Sequence, residues 1–97
     1  MRDWLRTLPK GDRHEIGVDI QKVQYRWPLG MPYVRKLHSQ IWEVRSQLGD
    51  GIARTLFTVD KDLMVLLHGF IKKSQKTPDN ELETAKQRLK LYQGGRT

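Results

Sequence analysis

Ile41-Trp42-Glu43-Val44-Arg45-Ser46-Gln47-Leu48-Gly49-Asp50-Gly51-Ile52-Ala53-Arg54-Thr55-Leu56-Phe57-Thr58-Val59 is the stretch on which the fold turns. Trp42 and Val44 alternate with Glu43 and Arg45, the period of two that a half-buried strand requires. Leu48-Gly49-Asp50-Gly51 then reads as a Gly-rich hairpin turn, and Ile52 to Val59, rich in Thr, Leu, Phe and Val, as the returning strand. Asp60-Lys61-Asp62 turns the chain again. Leu63 to Phe70, the most apolar stretch, is expected to be a central strand covered on both faces. Two successive hairpins over about residues 41–71 make an antiparallel meander.

The flanks read as helical. Trp4, Leu5 and Leu8 suit one apolar turn before Pro9. Asp12 with Glu15 three residues on has the spacing of a capping box. Ile16, Ile20, Val23 and Trp27 then recur on one face of a helix that Pro28 and Pro32 must end. A short helical turn over Tyr33–Leu37 is expected to bury Val34 and Leu37, which extends the helical part to about residue 38. Beyond the meander, Thr77 is placed to cap a helix over about residues 78–92, with Pro78 at its first position and Asp79 and Glu81 complementing its dipole. Leu82, Ala85, Leu89 and Tyr92 form its apolar stripe. The fold class is therefore α+β, one domain over residues 1–97, a small antiparallel meander with helices packed on one face.

Eighteen Lys and Arg against eleven Asp and Glu give a formal charge of +7 on 97 residues, a field that attracts polyanions or an acidic partner. The absence of cysteine excludes a disulfide framework, a thiolate zinc site and a Cys nucleophile. The longest apolar run, Leu63–Leu67, is far shorter than the ~20 residues of a membrane helix. No secretory leader is legible after Met1, so a soluble, cytoplasmic protein without membrane contact is expected.

The densest basic feature is His68-Gly69-Phe70-Ile71-Lys72-Lys73-Ser74-Gln75-Lys76-Thr77-Pro78. Lysines between an apolar strand and a helix start gather positive charge where a phosphate chain can be held; a solvated loop guarding a sheet edge is the alternative. Arg45 and Arg54 stand on strands joined by a tight turn and suit a phosphate clamp, although Arg45 can equally pair with Glu43 or a helix carboxylate. His68 is the only histidine in an expected strand, either a general acid or base or a hydrogen-bonded structural residue. No spacing resembles a metal site, and no phosphate-binding glycine loop is present. Trp4, Trp27 and Trp42 sit on apolar stripes and are expected in the core.

Gly30-Met31-Pro32-Tyr33-Val34-Arg35-Lys36-Leu37, Ile41 to Arg45, Ile52 to Phe57, Leu66 to Pro78 and Glu81 to Arg88 together resemble the phage-derived, HigB-like branch of the RelE/ParE superfamily. The likeness runs from about Leu5 to Leu91 and is most specific at Lys72-Lys73-Ser74-Gln75-Lys76-Thr77-Pro78. It implies a microbial-RNase-like α+β fold and the toxin of a type II toxin–antitoxin pair. The implied activity is ribosome-dependent, metal-independent endoribonuclease action on mRNA, without a cofactor, which stops translation and growth. The implied partners are a cognate antitoxin of the helix-turn-helix kind, the ribosome with its mRNA, and operator DNA through the antitoxin. The site residues implied are Arg45, Arg54 and Lys72, with Lys73 and Lys76 binding RNA; His68 or Glu43 is the candidate base. Members usually carry a further strand before the segment matching Arg2–Leu5. A gyrase poison of the ParE kind and an inactive remnant that only binds antitoxin as a co-repressor are the rival readings.

Overall fold

The computed structural model describes residues 2–27, 34–49, 51–72 and 77–94. Two helices, α1 (Arg2–Arg6) and α2 (Lys10–Arg26), precede four strands, β1 (Val34–His38), β2 (Ile41–Leu48), β3 (Gly51–Asp60) and β4 (Leu63–Lys72), and α3 (Asp79–Gly94) follows. The strands pair antiparallel in the order β1-β2-β3-β4. This is the α+β meander that the sequence predicts, with α1 and α2 together on one side of the sheet. The structure adds that α3 crosses the other side.

Side-chain alternation decides which residue meets which helix. On the α2 side, Val23 packs with Val34, Val44 and Phe57, joined by Trp27, Trp42, Val59, Met64 and Leu66. Trp27 meets Trp42 edge-on at 5.2 Å and Phe57 at 5.5 Å, so two of the three tryptophans are core residues, as expected. On the α3 side, Ala85 and Leu89 pack with Ile41, Leu56, Leu67 and Phe70. Ala53 to Phe57 of β3 are therefore all but inaccessible. The strand covered on both faces is β3, not the more apolar β4, which lies at the sheet edge among the described residues. Apolar content misplaces β4 because its Leu63 and Ile71 stay exposed, while β3 buries Arg54 and Thr55.

Val34–His38 is a strand, not the helical turn its Val34/Leu37 spacing suggests, so the helical part ends at Arg26. An edge strand needs only one apolar face. Val34 supplies it, and Lys36 rides over the Trp42 ring, 5.5 Å from its centroid. Tyr33 and the Pro28–Pro32 break lie outside the described residues. Helix α2 starts at Lys10 behind Pro9, with no side-chain cap, so Asp12 is an acidic residue of the first turn and not a cap.

The third tryptophan fixes α1. A Cβ built on Gly69 would overlap the Trp4 indole, so this glycine is what lets α1 approach β4. Gly69→Ala is expected to cost about 1–3 kcal/mol by forcing Trp4 aside; a shift in the urea midpoint of less than a tenth would refute that contact.

Candidate nucleic-acid interface

Strand register lays nine residues on the α3 side of the sheet as three rows. Glu43, Leu56 and His68 form one, Arg45, Arg54 and Phe70 the next, and Gln47, Ile52 and Lys72 the last. Strand spacing makes this array about 10 Å wide and about 13 Å long. Arg45 and Arg54 are direct cross-strand partners, as the tight hairpin predicts. Two like charges opposite each other repel, and the array answers this with a carboxylate.

Glu43, fully buried, is that carboxylate. Its Oε1 accepts from Arg45 Nε at 3.1 Å and from Arg54 Nη1 at 3.1 Å. Its Oε2 accepts from the Thr77 hydroxyl. The hydroxyl expected to cap α3 is thus spent on the sheet, and the Pro78 carbonyl accepts the first helical N–H groups, from Glu81 and Leu82. One anion between two cations leaves a local excess of one positive charge. The two arginines are not equivalent: Arg54 is wholly buried, whereas the Arg45 side chain keeps 19% of its surface in solvent.

Along the edge, His68 is held from α3. Its Nε2 lies 3.2 Å from Glu81 Oε1, its Nδ1 lies 3.1 Å from Arg88 Nη1, and its ring stacks on Phe70 at 5.8 Å. Arg88 Nη1 also donates to the Leu67 carbonyl at 2.9 Å. Leu67 is where β4 carries one residue more than β3, because Leu56 faces His68 while Phe57 faces Leu66. A bulge frees a carbonyl from the ladder, and Arg88 takes it.

The structure thus gathers Arg45, Arg54, His68 and exposed Lys72 on one face; Lys73 and Lys76 lie outside the described residues. Thr77, Glu81 and Arg88 escape sequence reasoning as site residues. The usable signal was that Glu81 and Arg88 stand seven apart, two helical turns, flanking the Leu82/Ala85/Leu89 stripe. Among the described residues no cluster of His, Asp or Glu could hold a metal ion, and no helix is long and apolar enough to cross a membrane.

Residues 3–90 match the family of phage-derived, Gp49-like proteins (DUF891). The chain belongs to this family. Gp49-like proteins are RelE-like, toxin-type proteins, and such toxins come with a cognate antitoxin. No curated protein matches this Gp49-like chain. In Gp49-like terms, the match covers all of the array: β2, β3, β4 and the part of α3 that carries Glu81 and Arg88.

Proposed function

We propose that this Gp49-like chain is the toxin of a type II toxin–antitoxin pair, of the HigB-like branch, and that it cleaves mRNA on the ribosome without a metal or cofactor. It acts as a single domain in the cytoplasm. The observation that carries the reading is the sheet face on which Arg45 and Lys72 reach solvent beside a buried Glu43–Arg54 pair. Such a face presents fixed cations to a phosphodiester and holds them by a partner that cannot leave.

Cleavage begins when the ribose 2′-hydroxyl gives its proton to water and its oxygen attacks phosphorus, and it ends when the P–O5′ bond breaks and the 5′-oxygen departs with a proton. Negative charge builds on the phosphoryl oxygens in between, and preorganised donors stabilise it. Arg45 is the donor placed to touch those oxygens. Arg54, with no exposed surface, acts through Glu43, which orients Arg45. Lys72, Lys73 and Lys76 grip the RNA backbone, and Lys72, at the end of the array, is the candidate to protonate the leaving oxygen. Cations without a paired strong base make a weak nuclease on free RNA, so the ribosome is needed to align the 2′-oxygen with phosphorus. The antitoxin silences the toxin, and the pair meets operator DNA through the antitoxin.

Primer extension on mRNA in a reconstituted translation reaction tests this. Cuts are expected with translating ribosomes and not with naked mRNA. Intact mRNA with undisturbed translation would overturn the reading, and a supercoiling assay would then separate a gyrase poison from an inactive antitoxin-binding remnant.

A further inference from the structure

We propose that His68 works in one fixed tautomer, as a hydrogen-bond donor and not as a proton acceptor, and that Arg88 and Glu81 are the positioning residues that impose it. A guanidinium has N–H donors and no acceptor. Arg88 Nη1 has two hydrogens, one for the Leu67 carbonyl at 2.9 Å and one for His68 Nδ1 at 3.1 Å. Nδ1 must therefore offer its lone pair. The ring proton then sits on Nε2, which faces Glu81 Oε1 at 3.2 Å, an acceptor. Phe70, stacked at 5.8 Å with 29° between the planes, keeps the ring from turning over.

The bulge is what ties Arg88 down. Its hydrogen bond to a backbone carbonyl outside the β3–β4 ladder does not depend on the histidine, so the second N–H is already aimed at Nδ1. Helix α3 supplies both partners seven residues apart, which brings Glu81 and Arg88 to the same face.

With both ring nitrogens committed, His68 has no lone pair for the proton of a 2′-hydroxyl. It does have an N–H that an anionic phosphoryl oxygen can take over from Glu81, one acceptor replacing another with no proton moved. This donor role rests on the endonuclease reading above; the tautomer does not. The group that accepts the 2′-hydroxyl proton is accordingly sought outside His68.

Long-range ¹⁵N–¹H correlation NMR of the histidines in the free, full-length protein reads the tautomer directly. A single Nε2–H form is expected for His68. Arg88→Met is expected to give a tautomer mixture, and Arg88→Lys, whose ammonium is also donor-only, to restore the single form. An Nδ1–H form in the wild type, or an Arg88→Met spectrum identical to it, overturns the assignment. For the donor role, His68→Gln places an amide N–H near the Nε2 position and cannot act as a base. It should stay within about 10-fold of wild-type cleavage, while His68→Phe falls by about 100-fold or more. Equal losses in the two variants overturn the donor role. A wild-type protein that leaves mRNA intact overturns the nuclease reading and the donor role together, and the NMR result still decides the tautomer.

Discussion

Replacing Glu43 by Ala is expected to cost about 3–5 kcal/mol, the usual penalty for removing one partner from a buried ion pair. That is a large part of what a domain of this length has. The reason is positional. Glu43 and Arg54 are both fully buried, and the same carboxylate also receives Arg45 and the Thr77 hydroxyl. The variant loses the anion for two guanidiniums and the tether of the segment before α3 in one step. Glu43→Gln can keep an oxygen for the two guanidiniums but puts an NH2 donor where Oε2 accepted from the Thr77 hydroxyl, so its cost should be smaller than that of Ala without vanishing. Urea unfolding followed by circular dichroism measures both. A Glu43→Ala midpoint within experimental error of wild type would mean that the carboxylate does not organise this face.

The second large effect is on activity. On the nuclease reading proposed above, Arg45→Ala should lower ribosome-dependent cleavage by about 10²–10³-fold, the loss typical of removing one oxyanion-stabilising donor from an enzyme. Stability should fall by about 1 kcal/mol or less, because the lost pair is partly exposed to solvent. Arg54→Ala is the necessary contrast. It removes a fully buried cation from Glu43, so it should lose stability. Its folded fraction should lose some activity, because Glu43 then orients Arg45 less firmly, but less than Arg45→Ala does. If instead Arg45→Ala cleaves normally while a folded Arg54→Ala does not, the roles assigned to the two arginines are exchanged. Cleavage rates at fixed ribosome concentration, set beside urea midpoints, distinguish these outcomes.

Much of this arrangement is legible in the residues themselves. The alternation Trp42/Val44 against Glu43/Arg45 and the short Gly49-containing turn are enough to predict that Arg45 and Arg54 face each other, since a two-residue connection leaves the strands no other register. Val34–His38 defeats the same logic. Its apolar residues stand three apart, and the extended chain there is favoured by tertiary terms that the spacing does not show: pairing with β2, burial of Val34 and the contact of Lys36 with Trp42. The ranking of β3 and β4 fails for a related reason. Arg54 and Thr55 are polar in composition yet buried, because Glu43 neutralises the first and α1 and α2 shield the face of the second. The His68 assembly left only one trace in the sequence, the seven-residue spacing of Glu81 and Arg88. Arg88 reaches Nδ1 only because a bulge at Leu67 shifts the register of β4, and a single inserted residue leaves no mark on hydrophobic periodicity.

The order of the sheet has a bearing on when the site is assembled. Every strand pairs with its neighbour in sequence, so the meander can close from local contacts as the chain emerges during synthesis. Thr77, Glu81 and Arg88 are made after all four strands, and Glu43 and His68 wait for them. A nascent chain can therefore carry a nearly finished sheet without an assembled site. On the proposed toxin reading, the last stage of translation completes the site, and an antitoxin has until then to bind first.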